Sequence, residues 1–381
     1  MKAVGVVVEY NPFHNGHLYH IQKAKELTQA DIVAAVMSGP FLQRGEPALV
    51  SKWARAEMAL ESGVDLIVEL PYAFATQHAA VFASGAVDIL QSLSCDFLCF
   101  GSESGSIDAF QQTFTLLQGK GMEEDLLVKG FMKQGMSYPK AKSLAIKELT
   151  TSDDHTALNL SMPNNILGYE YYKAVHTNKY PMEICTVARM KADYHDKTFT
   201  SDTIASATSI REELLHDKGD IRKIKPFLPA SSYQLLQQYK ETYLTYHTWE
   251  NYWHYLKFRL LQSTAEELAA IYEMEEGLEY RFLKYVKTAS SFHDFIRLVK
   301  TKRYTWTRLQ RICVHILTNT KKAEMSSSLK PNYIRLLGTT VNGRLYLKEK
   351  RSSFSCQLSA SFLLLIKKKS HWIFALRRFM L

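Results

Sequence analysis

The first hundred residues alternate between two hydrophobic periods, and that alternation leaves the chain few folds to adopt. Residues 3–8, 31–37, 64–70 and 96–100 are short apolar runs rich in Val, Ile and Phe, each of strand length. Between them, residues 16–29, 51–62 and 77–92 carry helical patterns. Strand then helix, repeated in this order, specifies βαβ units and a parallel sheet. The run Ile32-Val33-Ala34-Ala35-Val36-Met37 has no polar alternation, as expected of a strand covered on both faces. Ligands of such sheets sit beyond the carboxyl ends of the strands. The loops 9–17, 38–50, 70–77 and 101–106 are therefore where a site is expected.

Beyond this core, residues 107–180 read as a helical insertion broken at Gly119 to Gly121, Gly135 and Pro163. Residues 183–189 read as a further strand. A helix is expected over 206–216, capped by Ser206 or Thr208, with Glu212 and Glu213 in its early turns. Pro226 and Pro229 mark a second boundary, and 231–323 reads as helices rich in Leu, Tyr and Lys/Arg. At 381 residues the chain is long enough for two or three domains.

Charge is divided unevenly along this order. The net charge of +9 combines −7 over residues 1–215 with +16 over 216–381. An acidic front half and a basic back half predict a catalytic domain joined to a polyanion-binding one, nucleic acid first among the candidates. Residues 351–381 contribute six basic and no acidic residues, and contain no Gly, Pro or Asn. This tail reads either as a basic amphipathic segment or as a C-terminus altered by a reading-frame change. Without it, residues 216–350 still carry +10.

Several classes are excluded. The five cysteines, Cys95, Cys99, Cys185, Cys313 and Cys356, form no CxxC pair, and a disulfide framework is not expected in so large a chain. No stretch approaches the ~20 apolar residues of a membrane span. The apolar run at 3–8 is too short for a secretory signal. A cytoplasmic protein with no membrane association is expected, and no protein partner is inferred.

Strand 1 runs into Glu9-Tyr10-Asn11-Pro12-Phe13-His14-Asn15-Gly16-His17. Free N–H groups and the positive helix end make this place an anion site. Gly16 lets a ligand approach the backbone, and His14 and His17 can donate to phosphate oxygens and to charge developing on an attacked α-phosphate. His14, His17 and His20 recur every three residues, but no Asp, Glu or Cys joins them at ligand spacing, so no metal site is expected. Further on, Ser206-Ala207-Thr208-Ser209-Ile210-Arg211 places hydroxyls and a guanidinium at a helix start, where Arg211 can hold a departing pyrophosphate by two parallel bonds.

The first run resembles the HxGH signature of the nucleotidylyltransferase superfamily, relatives of the class I aminoacyl-tRNA synthetases. The second resembles its ISSTxIR signature, departing at Ala205 and Ala207. The resemblance implies a Rossmann-like α/β domain followed by a helical one. Residues 38–48 and Lys52-Trp53-Ala54-Arg55-Ala56-Glu57 resemble the bacterial tRNA(Met) cytidine acetate ligase family more closely. So do Val68 to Pro71, Phe100 to Glu103, Asn164 to Tyr171 and Val187 to Arg189, and the resemblance extends to about residue 348. It implies formation of acetyl-adenylate from ATP and acetate, then acetyl transfer to N4 of the wobble cytidine of elongator tRNA(Met). Mg²⁺ is expected to assist with the pyrophosphate.

Carried over by motif, ATP would be held by Val7, Val8, Glu9, Tyr10, Asn11, Pro12, Phe13, His14, Asn15, Gly16, His17, Leu18, Tyr19 and His20. Gly101, Asn164, Arg189, Ser206 and Thr208 would join them, with His14, His17 and Arg211 catalytic. Asn164 has both donor and acceptor for an adenine edge, or is a helix cap after Pro163. Arg297, Lys300, Arg303, Arg308 and Arg311, with Lys302, Tyr304 and Trp306 among them, are the expected tRNA contacts. The aromatic series Tyr243, Tyr246, Trp249, Tyr252, Trp253 and Tyr255 reads as helix packing. The expected organisation is a catalytic domain over 1–215 with its insertion at about 107–180, a helical basic domain over 216–350, and the tail over 351–381. Two other functions fit parts of this pattern: a small-molecule adenylyltransferase of the nicotinate mononucleotide or phosphopantetheine type, and a noncatalytic RNA-binding nucleotide sensor.

Overall fold

The structure is a computed structural model and describes residues 1–150, 158–189, 203–216, 219–275, 277–325 and 330–359. Seven strands form one sheet: β1 (Ala3–Val8), β2 (Ile32–Ser38), β3 (Leu66–Leu70), β4 (Phe97–Ser102), β5 (Glu183–Ala188), β6 (Tyr333–Thr339) and β7 (Gln357–Ser359). Their order is β5-β4-β1-β2-β3-β6-β7. The first four pair in parallel, as the alternation of periods predicts, and β5 adds to them in parallel with β4. Burial explains why β2 has no polar face. Ile32, Ala34 and Val36 enter one core layer, whereas Val33, Ala35 and Met37 enter the other. The helices Ala79–Ser92 and Pro163–Thr177 cover the first layer, and Asn15–Thr28 and Lys52–Leu60 cover the second. The insertion is helical, with Gly119 at φ +82° and Gly135 at φ +85° where its helices break.

Two features depart from expectation. First, the chain returns to the sheet after its helical part. β6 pairs antiparallel with β3, placing Arg335 opposite Glu69. Its sequence, Tyr333-Ile334-Arg335-Leu336-Leu337-Gly338-Thr339, gives no clean period because only Ile334 is buried. β7 pairs in parallel with β6, so the expected tail begins as part of the sheet, held by a hydrogen bond of 2.9 Å from Ser355 Oγ to Ser92 Oγ. Residues 360–381 lie outside the described residues. Second, residue 216 is not a packing boundary. Ile224, Phe227, Leu228, Leu236, Tyr239 and Tyr246 all enter the second sheet layer. A separate helical core begins at Trp249, just after the Thr248 capping box. Cys95, Cys99, Cys185, Cys313 and Cys356 are all free thiols. No described helix is long and apolar enough to cross a membrane.

The loop after β2 joins the sheet to the helical core. Phe41 is buried in that core, 6.1 Å from the Trp249 ring and 5.7 Å from Tyr252. The Trp249 indole N–H donates to the Gly45 carbonyl at 2.9 Å. Gly45 sits at φ +77°, and a Cβ there would collide with the Arg311 backbone. Of the aromatic series, Tyr246, Trp249, Tyr252 and Trp253 are buried, while Tyr243 and Tyr255 are exposed. Phe41→Ala should cost ~3–5 kcal/mol. It should lower the urea midpoint seen by tryptophan fluorescence; an unchanged midpoint would show that the wedge carries no packing energy.

Candidate active site

The turn after β1 builds the centre of the site. Tyr10 takes a left-handed backbone at φ 49°, and His14 caps the Asn15–Thr28 helix. The His14 Nδ1 accepts the Gly16 N–H at 3.0 Å, and the His17 Nδ1 accepts the His14 N–H at 3.3 Å. The two rings stack with centroids 3.8 Å apart. A neutral imidazole whose Nδ1 accepts must carry its proton on Nε2. The cap therefore sets the tautomer of both rings and leaves two Nε2–H donors for a phosphate. A Cβ on Gly16 would come within 2.8 Å of the His14 ring, so the glycine is needed for the stack.

Both rings are neutral. Burial, with Arg189 and Arg211 nearby, pushes His14 down to about 3. Burial, with His14 and Arg189, takes His17 well below its ordinary value. Burial also raises the Glu9 carboxyl, which accepts the Gln43 N–H at 2.8 Å.

The second motif closes against the first. Ser206 caps the Ala207–Leu215 helix by accepting the Ser209 N–H at 3.0 Å. Arg211 donates through Nη1 to the Asn11 carbonyl at 2.9 Å, and its Nη2 lies 3.7 Å from Glu46. On the other flank, Glu103 caps the Pro163–Thr177 helix, accepting from Asn164 Nδ2 at 2.6 Å and from Asn165 N–H at 2.8 Å. Arg189 donates to Asn164 Oδ1 at 3.3 Å. The Asn164 amide is thus already oriented, with one donor and one lone pair remaining.

These groups line one cleft of about 1160 Å³. All of residues 7–20 reach it except Pro12, Phe13, Asn15 and Leu18. Phe13 is buried in the core beside His17, and Asn15 donates to the carbonyls of Thr203 and Pro226, 2.9 Å each. Leu18 packs against the second sheet layer. These residues shape the turn from behind. Gly101, Asn164, Arg189, Ser206, Thr208 and Arg211 all line the cleft, as do Arg308 and Arg311 from the helical part.

The family model for HIGH Nucleotidyl Transferase matches residues 1–372. A Geobacillus sp. (strain WCH70) protein named tRNA(Met) cytidine acetate ligase is 50% identical over 348 residues, 91% of this chain and 86% of that protein. A Bacillus subtilis (strain 168) protein of the same name is 50% identical over 363 residues, 94% of this chain and 86% of that one. Thermotoga maritima TmcAL in an apo crystal form has a TM-score of 0.88 at 33% identity, covering 99% of this chain and 92% of that chain. The same protein bound with alpha-thio ATP has a TM-score of 0.88 at 34% identity, covering 97% and 89%. The chain belongs to the tRNA(Met) cytidine acetate ligase family.

In this family member, the basic cluster expected to form one RNA-facing surface divides in two. Arg297, Lys300, Lys302 and Arg303 are exposed. Arg311 instead makes a buried ion pair with Glu273 at 2.8 Å, and Arg308 pairs with Glu275 at 2.8 Å. Tyr304 is buried beneath Arg308, and Trp306 packs on His293, so neither is an open stacking platform. Sequence reasoning missed Glu46, Glu103, Tyr272 and Glu273 as parts of the site. Glu46 and Glu103 fall within family-like runs, but nothing local marks Tyr272 or Glu273.

The neutral histidines set the acid sensitivity of this ligase-family fold. His14 is held to about 3, and burial holds His20 and His315 to about 4. Unfolded histidine takes its proton near ~6.5. The unfolded state therefore binds more protons as pH falls from about 6.5 towards 4, and stability declines over that window. His20→Gln should flatten the fall of Tm between pH 6.5 and 4.5; an unchanged slope would show that His20 is not held neutral.

Proposed function

We propose that this chain is an ATP-dependent tRNA cytidine acetate ligase that activates acetate as acetyl-adenylate and acetylates N4 of the wobble cytidine of elongator tRNA(Met). The observation that carries this reading is the closure of both motifs on one cleft: the stacked His14–His17 pair, with Arg211 bonded to the Asn11 carbonyl. The family names of the relatives supply the acceptor.

Two steps follow. An acetate oxygen bonds to the α-phosphorus of ATP, the bond to the β-phosphate oxygen breaks, and acetyl-adenylate and pyrophosphate result. The Nε2–H groups of His14 and His17 and the N-terminus of the Asn15–Thr28 helix stabilise the charge that develops on the α-phosphate. Arg211, with Thr208 and Ser206 at their helix end, holds the pyrophosphate. The adenosine lies towards Gly101, Asn164 and Arg189. The cytidine N4 then bonds to the acetyl carbon, the carbon–oxygen bond to phosphate breaks, and AMP leaves as N4 loses a proton. No cysteine or serine nucleophile is needed. Mg²⁺ would enter with the triphosphate and neutralise its charge, with Glu46 the carboxylate beside Arg211.

The sheet and its helical insertion form the catalytic part in this reading, and the helical part handles RNA. Exposed Arg297, Lys300, Lys302 and Arg303 bind the phosphates of tRNA. The RNA substrate implies a cytoplasmic enzyme.

Incubation with ATP, labelled acetate and tRNA should yield N4-acetylcytidine, and acetate-dependent ATP–pyrophosphate exchange should occur without tRNA. Absence of both would reject the ligase reading. His17→Ala should lower exchange by about 10²–10³-fold. Replacing Arg297, Lys300 and Arg303 by Ala should weaken tRNA acetylation and reduce its salt dependence by about one unit of slope for each phosphate that is no longer neutralised. An unaltered salt slope would remove these residues from the RNA interface.

A further inference from the structure

The cleft is larger than one ligand requires, and the sheet order divides it. Its volume of about 1160 Å³ exceeds the ~300–1,000 Å³ typical of a single small-molecule site. β1 lies at the switch point, with β4 and β5 on one side and β2 and β3 on the other. The nucleoside-side residues Gly101, Asn164 and Arg189 all belong to the β4/β5 flank.

The opposite flank has its own continuous polar framework. Gln43 donates its N–H to Glu9 at 2.8 Å and its side-chain amide to the Gln77 carbonyl at 2.7 Å. The Tyr272 hydroxyl meets the Gln77 side chain at 3.4 Å. Beside Tyr272, Arg311 clasps Glu273 through Nε at 3.0 Å and Nη2 at 2.8 Å, and each side chain is only 10% exposed. Gln43, Tyr272, Glu273 and Arg311 all line the cleft, and the ligase reading gives none of them to ATP.

We propose that this β2/β3-side lobe seats the acceptor nucleobase, with the Glu273–Arg311 pair reading its hydrogen-bonding edge. The proposal rests on the ligase reading above. A cytosine edge presents an amine donor beside acceptor atoms at N3 and O2. The clasped pair answers both: the carboxylate keeps lone pairs for the amine, and the guanidinium keeps its Nη1 donors for the ring acceptors. A uracil edge has a carbonyl where cytosine has the amine and would set that oxygen against the carboxylate. Burial alone would raise the Glu273 carboxyl, but Arg311, His315 and Arg308 take it below the ordinary range, so it accepts instead of donating. His315 supports the wall from behind, bonded to the Tyr72 hydroxyl at 2.7 Å.

The test uses the full chain and the anticodon stem-loop of tRNA(Met) carrying 5-bromocytidine at the wobble position. Irradiation should crosslink it to peptides containing Tyr272 or residues 305–311. In competition binding, the cytidine stem-loop should be preferred over its uridine counterpart by about tenfold or more, and Glu273→Gln should erase that preference. Crosslinks on the β4/β5 flank, no crosslink above the bromine-free control, or a preference unchanged in Glu273→Gln would each overturn the proposal. The crosslink uses unmutated protein, so it stands even if Glu273→Gln fails to fold. It also needs no turnover, so a protein that crosslinks in this lobe but makes no N4-acetylcytidine would refute the ligase reading while leaving the acceptor seat in place.

Discussion

The site depends on one buried guanidinium. Arg55 has no solvent exposure and donates to the Glu9 carbonyl and the Gly39 carbonyl, 2.6 Å each. It thereby ties the turn after β1, which holds the histidines, to the loop after β2, which reaches the helical core. Burial lowers its proton affinity, but with a pKa of about 10 it stays charged at neutral pH. Taking such a charge out of water is costly unless its partners are placed to receive it. The two loop carbonyls and the nearby carboxylates of Glu9 and Glu69 provide that placement.

From this clamp the geometry propagates outward. Asn11 accepts the Leu49 N–H at 2.7 Å, a second tie between the same two loops. Gly45 and Phe41 then seat the β2 loop against Trp249 and the Arg311 backbone. The helical part consequently forms one wall of the cleft.

The electrostatics follow the same logic. The acidic front half gathers neutral imidazole N–H groups, a helix end and a few guanidinium groups on its side of the cleft, with no bulk positive charge. The basic back half turns two of its arginines to the cleft, Arg311 in a buried pair with Glu273 and Arg308 in a more open pair with Glu275, and leaves Arg297, Lys300, Lys302 and Arg303 facing solvent. Net charge over a segment therefore overstates the charge available to a polyanion.

The sequence by itself determined the features that rest on local interactions. Hydrophobic period specified four parallel strands and their crossover helices, and short-range capping chemistry located the helix start at Ser206. It also singled out His14 and His17 as candidates, because their spacing beside Gly16 at a strand–helix junction is a local pattern, whereas the bond from Arg211 to the Asn11 carbonyl spans 200 residues and needed the fold. Tertiary structure alone decided the rest. β6 was illegible because a strand with one buried residue carries no period, and its partner β3 lies more than 260 residues earlier. The inward turn of Arg308 and Arg311 was equally hidden. A guanidinium reads as a solvated charge or an RNA contact until the fold brings a carboxylate such as Glu273 against it, and that meeting depends on packing between distant segments.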